Sequence, residues 1–190
     1  DAGRRAQGGG ITDPDGRAIR GVTVQGLVAS PMSVIVEGSE AEATALEPRN
    51  PRDLVASSND GKYIIKTVVT ADHVQPMTIR LQPAGAITGR IVDESGKPVK
   101  ALLSPLQGIK PGDDVGYIPQ VRADAGGRFR IAPLLPGVRY SAEVRGGEWD
   151  TEVVGKAFES VVLRSGEVRD VGDIRVQRGA HAGSAATPGQ

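Results

Sequence analysis

A turn-containing stretch occurs twice in this 190-residue chain, and this repeat constrains the fold more than any other feature. Residues 9–19 read GGITDPDGRAI and residues 89–99 read GRIVDESGKPV, so the two segments align at a constant offset of 80 positions. In both, an apolar run is followed by an Asp-x-x-Gly turn and a further apolar residue. Because self-similarity at a fixed offset indicates a repeated structural unit, the sequence predicts two tandem β modules.

Two further segments extend the repeat with different offsets. A predicted hairpin at residues 55–66 returns at residues 122–131 with an offset of 66, each copy having an aromatic residue two positions after a glycine. Residues 78–82 correspond to residues 173–177 at an offset of 95. Because loops of different length can be inserted between shared strands, changing offsets are expected of two copies of one β core.

The composition favours short strands joined by turns. The 26 glycines and 13 prolines suit tight turns, and aromatic residues make up only 3% of the chain, so the core must consist of aliphatic residues. We therefore predict an all-β fold of two tandem Ig-like or prealbumin-like antiparallel β-sandwich modules of Greek-key type, joined by a short hinge.

The repeat also predicts where the modules begin and end. Residues 1–8 are polar and glycine-rich, which predicts a flexible leader, and residues 178–190 lack apolar periodicity, which predicts a disordered tail. The first module occupies residues 9–83, a diverged copy, and the second occupies residues 87–177. Pro83-Ala84-Gly85 is predicted to be the hinge between them.

Surface loops are predicted at three places, and we expect them to form variable contact surfaces. In the first of these loops, Glu40 to Leu46 could form a helical turn or two, but Pro48 and Pro51 would end it. The three predicted loops are residues 37–54, 104–121 and 145–157.

Charge and hydropathy exclude several classes of partner. The chain carries 23 Lys and Arg against 23 Asp and Glu, so it lacks the basic field that nucleic acid requires. No apolar run approaches the roughly 20 residues of a membrane-spanning helix, so we expect no direct membrane insertion. The chain has no cysteine, which rules out disulfides and thiolate metal sites but leaves the compartment open.

Three motifs in the second module occur in a characteristic order: GRIVDESGKPVKA, then ADAGGRFRI, then LLPGVRY. With them, this module resembles the carboxypeptidase regulatory-like domain, a transthyretin-like β-sandwich with a carbohydrate-binding-like fold. The resemblance implies a β-sandwich found in large bacterial surface or envelope proteins. The matching positions are Gly89, Ile91, Asp93, Gly96, Pro98, Val99, Asp124, Gly127, Phe129, Leu135, Pro136, Gly137 and Tyr140.

The first module departs from this pattern at several positions. Ala18 stands where the pattern has proline, and Ser58 replaces the aspartate of the predicted hairpin turn. The family takes its name from its position after a zinc peptidase domain, and the sequence supplies no such catalytic unit. The name therefore implies no activity for this chain.

The sequence predicts no catalytic, cofactor or metal site. His73 and His181 are the only histidines, and a zinc site needs three or four ligands. Asp13 and Asp15 look like the start of a calcium loop, but the later acidic ligands are missing, so a β-turn explains them better. Asp93 and Gly96 are likewise predicted to shape a turn.

One candidate ligand-binding site remains. Trp149 lies in the loop sequence GGEWD and could form a stacking platform for a sugar, with Tyr117 from the other long loop nearby. The alternative is structural, with Trp149 packing over the module edge or at the contact between modules.

These observations favour a non-catalytic structural and interaction module, acting as a spacer and contact domain in a larger, exported bacterial protein. A carbohydrate-binding module is one alternative, and an accessory domain attached to a peptidase or other hydrolase outside this chain is another. The expected partners are other domains of the parent protein or a surface protein or glycan. We expect a monomer located outside the cell, in the periplasm or in the envelope, with the cytoplasm left open.

Overall fold

The computed structural model describes residues 5–28, 33–46, 49–71, 76–107, 118, 120–146 and 150–177. These residues form fifteen strands and no helix, which confirms the predicted all-β class. The strands are β1 Arg5–Thr12, β2 Val22–Gln25, β3 Ser33–Val36, β4 Glu40–Leu46, β5 Arg52–Ser58, β6 Tyr63–Val69, β7 Ile79–Arg80, β8 Gln82–Pro83, β9 Gly85–Val92, β10 Leu102–Gln107, β11 Val121–Arg122, β12 Arg128–Leu134, β13 Arg139–Gly146, β14 Glu152–Val162 and β15 Val168–Arg175.

Strands β1–β8, here called the first half, form two sheets around one aliphatic core. One sheet has the order β4-β1-β7 and the other has the order β3-β2-β5-β6-β8. Alternate residues of each strand point inward, as a half-buried sheet requires. The core residues from both sheets are Ile11, Val22, Val24, Leu27, Val36, Ala43, Leu46, Leu54, Ala56, Val69, Ala71, Ile79 and Leu81.

Strands β9–β15, here called the second half, also form two sheets. Their orders are β12-β9-β15 and β11-β10-β13-β14. Buried residues come from both sheets, among them Ile91 and Phe129 in the three-stranded sheet and Leu103, Tyr140 and Val144 in the four-stranded sheet. The two packed sheets in each half agree with the predicted β-sandwich.

The Asp-x-x-Gly turns of the repeat have the same geometry in both halves. The Gly16 N–H donates to Asp13 O at 3.0 Å, and the Gly96 N–H donates to Asp93 O at 2.9 Å. Each aspartate Oδ1 also accepts two backbone N–H bonds, at 2.9 and 2.9 Å for Asp13 and at 2.9 and 3.0 Å for Asp93. This Asx-type bonding confirms that these residues shape turns.

In each half the first strand lies parallel to a strand near the end of that half, an exception to the predicted antiparallel pairing. β1 pairs in parallel with β7 through Ile11 opposite Ile79 and Thr12 opposite Arg80. β15 is the neighbour of β9, and backbone bonds join the two at both ends.

Residues 40–46 are the largest departure from the sequence-based expectation. They were predicted to lie in a surface loop, but they form β4, which pairs antiparallel with β1 from Gly10 opposite Glu40 to Gln7 opposite Ala43. Ala43 and Leu46 are buried on the core side. Residues 5–8, predicted to belong to a flexible leader, are part of β1. Pairing between β1 and β4 explains both departures, because each of these strands supplies hydrogen-bond partners for the backbone of the other.

Two other predicted loops are shorter than expected. Strand β10 extends to Gln107, inside the predicted loop at residues 104–121. Strand β13 ends at Gly146 and strand β14 begins at Glu152. Most of the predicted loop at residues 145–157 is therefore strand. Long cross-strand pairing with β13 explains why the Val-rich start of β14 is extended.

The predicted hairpin repeat is a hairpin only in the first half. There β5 and β6 pair antiparallel, with Ser57 opposite Ile64. At the corresponding place in the second half, β11 pairs with β10, whereas β12 lies beside β9 in the other sheet. The turn at Asp124–Gly127 therefore connects two sheets instead of two neighbouring strands.

The predicted hinge residues lie in or next to strands. Pro83 belongs to β8, which pairs with β6, and Gly85 begins β9. Between them, the Ala84 N–H donates to Lys62 O at 2.7 Å. By their contacts, the described residues group into two compact units, one within 1–86, 132–137 and 163–167 and the other within 87–131, 138–162 and 168–190.

Candidate functional site

The cross-strand register of the four-stranded sheet places four side chains in one row on its outer face. Leu102 of β10 lies opposite Arg122 of β11 and opposite Arg145 of β13, and Arg145 lies opposite Val153 of β14. Directly opposite residues share a face of the sheet. The next row, Leu103 opposite Val144, is fully buried, so the Arg122-to-Val153 row faces outward.

An ion pair joins Arg122, at one end of this row, to Asp150 in the connection between β13 and β14. Arg122 Nη2 lies 2.5 Å from Asp150 Oδ2, and the Asp150 side chain is 23% exposed against 58% for Arg122. Asp150 has φ = 52°, in the left-handed region that aspartate tolerates better than most residues. The backbone conformation thus presents the carboxylate to Arg122.

Arg145 occupies the middle of the row and is held by weaker contacts. Its Nη2 lies 3.4 Å from Glu143 Oε2, and its Nη1 donates to Thr151 O at 3.4 Å. Its Nε is buried and has no hydrogen-bond partner among the described residues. We call Arg122, Arg145, Asp150, Glu143 and Val153 the Arg122–Asp150 corner.

The corner offers guanidinium donors, carboxylate acceptors and an apolar side chain within one face. Val153 is 54% exposed. The two guanidinium groups and the two carboxylates of the corner give no net charge. Such a mixture suits recognition of neutral polar groups, such as sugar hydroxyls or an extended peptide. Sequence reasoning missed Arg122, Arg145 and Asp150, since no local pattern connects residues that are 28 positions apart.

Trp149 and Tyr117, the predicted ligand-binding residues, lie outside the described residues. Of the two ion-paired residues, Asp150 comes immediately after Trp149 in sequence, and Arg122 comes five residues after Tyr117. Both histidines, His73 and His181, also lie outside the described residues.

The turn aspartates are committed to the backbone. Asp124 Oδ1 accepts N–H bonds from Gly126 at 2.8 Å and from Arg128 at 2.9 Å, as Asp13 and Asp93 do in their own turns. Within the described ranges, no group of three or more His, Cys, Asp or Glu side chains is arranged to hold a metal ion. The same part of the chain contains no helix that is long and apolar enough to cross a membrane.

Residues of the first half line a small pocket of about 20 Å³ that is partly open to solvent. Gly9, Leu27, Ala43, Leu54 and Met77 are among the residues that line it. A space of this size holds about one water molecule, and an apolar lining favours leaving it dry. The pocket is therefore too small to hold a ligand.

Comparison with known proteins gives partial similarities. No family model matches the chain, so the carboxypeptidase regulatory-like resemblance remains a prediction. A 107-residue stretch is 28% identical to the bifunctional protein FolD of Parasynechococcus marenigrum (strain WH8102), covering 50% of this chain and 36% of that protein. The chain thus spans about a third of the length of that relative.

Among solved structures, the chain is similar to a streptococcal ancillary pilin, with 13% identity, a TM-score of 0.34 and coverage of 93% of this chain and 63% of the pilin. It is similar to the Bacillus anthracis TIE protein, with 13% identity, a TM-score of 0.37 and coverage of 92% and 34%. It is also similar to the shaft pilin SpaA of Lactobacillus rhamnosus GG, with 8% identity, a TM-score of 0.40 and coverage of 93% and 99%. At these TM-scores, the fold assignment rests on the strands and sheets themselves.

Proposed function

We propose that the chain is a non-catalytic structural and interaction module of the carboxypeptidase regulatory-like kind, in a larger, exported bacterial protein. The observation that carries this proposal is the repeated scaffold: the same Asx turn and the same parallel strand pair occur in both halves. Asp13, which looks like the start of a calcium loop in the sequence, and Asp93 both build that scaffold through their backbone hydrogen bonds. These residues therefore have a structural role in the turns.

The contact surface of this module is the Arg122–Asp150 corner. Asp150 lies in the connection between β13 and β14, and segments that connect strands commonly carry binding residues on a rigid scaffold. The partner is another domain of the parent protein or a protein or glycan at the cell surface. The module itself acts as a monomeric spacer between its neighbours.

Site-specific photo-crosslinking tests this proposal with a matched control. A photoreactive amino acid replaces Val153 at the corner in one variant of the full parent protein and Ile35 of β3 in the other; these residues are 54% and 60% exposed. In cells that produce the parent protein, we expect a discrete cross-linked product from position 153 and none from position 35. Equal products from both positions, or none from either, would contradict the assigned surface.

Carbohydrate binding is the second candidate, and the Arg122–Asp150 ion pair favours it. This contact joins Arg122 and Asp150, which follow Tyr117 by five positions and Trp149 by one position, and paired Arg and Asp side chains suit sugar hydroxyls. Titration with polysaccharides compares the wild type with Trp149→Ala and Arg122→Ala, and Arg17→Ala, an exposed arginine of the first half, is the control. Binding that is lost in the first two variants only would support this function, whereas no binding by the wild type removes it.

An accessory role beside a peptidase or other hydrolase remains the third candidate. The flanking sequence within the full-length gene decides it, because that role requires an adjacent catalytic domain.

A further inference from the structure

We propose that the parallel strand pair of each half is a shear clamp that resists unfolding when tension is applied along the chain. The inference rests on the proposed role as a spacer, since a spacer between a cell surface and a partner transmits force. It assigns the strand pairs β1–β7 and β9–β15 a mechanical function.

The first half shows the geometry of the clamp. β1 and β7 run in the same direction, with Thr12 opposite Arg80, and the Leu81 N–H donates to Thr12 O at 2.8 Å. β1 is also held on its other side by β4 over residues 5–10. The strand that enters this half is therefore bonded on both edges.

The second half repeats this arrangement over a longer distance. The Ala86 N–H donates to Glu167 O at 2.9 Å near the start of β9, and the Val176 N–H donates to Val92 O at 3.0 Å at its end. Residue numbers increase together along both strands, so the pair is parallel. Val176 corresponds to Leu81 at the sequence offset of 95, and Val92 corresponds to Thr12 at the offset of 80. The Val176-to-Val92 bond is therefore the counterpart of the Leu81-to-Thr12 bond of the first half.

Parallel pairing decides how tension reaches the hydrogen bonds. In a parallel pair, the chain enters at one end of the first strand and leaves at the opposite end of the second. Force applied along the chain then slides the strands past each other, and all bonds between them are stretched together. Force applied at the same end of both strands would instead break the bonds one at a time.

An arginine reinforces the clamp in both halves. Arg175 Nη1 at the end of β15 donates to Glu94 O at 3.2 Å, in the turn that follows β9. Arg80 Nη2 makes the equivalent bond to Pro14 O. Each arginine ties the exit strand to the first turn, across the end of the pair where force leaves the half.

The two clamps differ in length, which predicts an order of unfolding. β7 contributes two residues to its parallel pair, whereas β9 and β15 are each eight residues long. The backbone bonds of the second-half pair extend from residues 86 and 167 to residues 92 and 176, so the two strands overlap over a longer distance, and we expect the first half to unfold at the lower force. Stretching the full chain from its ends is expected to give two unfolding events, with the shorter contour-length increment first.

Pulling one strand pair in two directions tests the clamp itself. The chain has no native cysteine, so introduced cysteines give unique attachment points. Ala84→Cys with Gln177→Cys loads β9 and β15 in shear, and Ala84→Cys with Val168→Cys loads the same pair from one end. At equal force we expect unfolding at least about tenfold slower in shear, the change made by one or two more hydrogen bonds breaking together.

A second variant separates a mechanical role from ordinary stabilisation. Arg175→Ala should speed unfolding in shear about fivefold at fixed force and leave the one-end direction unchanged. Arg175→Lys, which keeps a cationic donor, should restore part of the difference. Thermal unfolding without load is measured for every variant to show that each one folds.

Equal unfolding rates in the two directions would overturn the clamp, as would an Arg175→Ala effect of the same size in both. Neither result touches the proposed interaction function, which the cross-linking at position 153 tests separately. Conversely, direction-dependent unfolding without any cross-link at position 153 would retain the clamp and discard the assigned contact surface.

Discussion

The two halves use turns at equivalent positions of the repeat to build two different connections. In the first half, the turn at Ser58–Gly61 joins neighbouring strands β5 and β6 of one sheet. In the second half, the turn at Asp124–Gly127 joins β11 to β12, which lies in the opposite sheet beside β9. The difference shows that a turn motif fixes the local path of the chain and leaves the choice of the next partner strand to the rest of the fold.

The neighbours of the first strand explain this choice. In the second half, the Ile91 N–H of β9 donates to Gly127 O at 2.8 Å, so the turn itself docks on the first strand. In the first half, the equivalent Ile11 N–H donates to Ser39 O at 2.8 Å, just before β4. β4 takes the place beside the first strand that β12 takes in the second half, and β6 stays with β5.

Glycine-to-alanine substitutions at equivalent turn positions should separate the two connections most strongly. Gly61 and Gly127 have φ values of 71° and 74°, but a Cβ on Gly127 would lie 2.3 Å from Ile91 O, whereas the nearest atom to a Cβ on Gly61 is 4.0 Å away. Gly61→Ala should cost about 1–2 kcal/mol from the left-handed conformation alone. Gly127→Ala should cost about 3 kcal/mol or more, because the turn must also move away from β9.

Hydrogen exchange followed by mass spectrometry across a urea series measures this cost separately in each half. The half without the substitution is the internal control. If both substitutions destabilise their own halves by the same amount, then the Asp124–Gly127 turn does not dock on β9 as described.

We expect the first-half turn to accept the side chains of the second-half turn only when positions 58 and 60 are changed together. Asp124 holds its turn alone, whereas buried Ser58 donates to Asp60 Oδ1 at 2.7 Å and accepts from the Tyr63 N–H at 3.0 Å. Ser58→Asp places a second carboxylate beside Asp60 and should cost about 1–2 kcal/mol. Adding Asp60→Gly, which copies Gly126, should recover at least half of that loss.

A double-mutant cycle in the same urea measurement checks this exchange. The coupling between positions 58 and 60 should be favourable and about 1 kcal/mol in size. Additive effects of the two substitutions would mean that the first-half turn does not depend on the Ser58–Asp60 contact.

The smallest expected difference between the two turns is in their response to acid. The Ser58 hydroxyl bond, followed by contacts with Lys62, lowers the pKa of Asp60 below its ordinary value. A lowered pKa in the folded state stabilises the first half above the unfolded pKa of about 3.9, and that contribution is lost as the pH falls through the folded value. Because the Asp60 side chain is 49% exposed, we expect less than about 0.5 kcal/mol.

Unfolding free energies at pH 7 and pH 3 test this contribution. The wild-type first half should lose slightly more stability on acidification than Asp60→Asn, in which the site no longer titrates. An equal or larger loss in Asp60→Asn would reverse the sign of the proposed linkage.

The parts of the fold that the sequence predicts well are local. Asp13, Asp93 and their glycines specify turns through their own backbone and side chains, so the repeat could be found without knowing the fold. β4 could not be predicted, because EAEATAL consists largely of helix-forming residues and becomes a strand only through its pairing with β1. Tertiary pairing overrides local propensity there.

The candidate site shows the same limit. The sequence points to Trp149 because a lone tryptophan in a glycine-rich loop is conspicuous, and that residue and Tyr117 lie outside the described residues. The Arg122–Asp150 ion pair has no sequence signature, because it depends on β11 and β13 both pairing with β10. Contacts set by sheet register appear only once the register is known.

The central claim is that both halves are built on the same parallel first-to-last strand pair. Scalar couplings measured by NMR across hydrogen bonds test it directly, because they report donor and acceptor individually. We predict couplings from the Leu81 amide nitrogen to the Thr12 carbonyl and from the Val176 amide nitrogen to the Val92 carbonyl, whose N···O distances are 2.8 and 3.0 Å. Absence of either coupling, in a spectrum where the antiparallel bonds of β5 and β6 are detected, would contradict the shared scaffold.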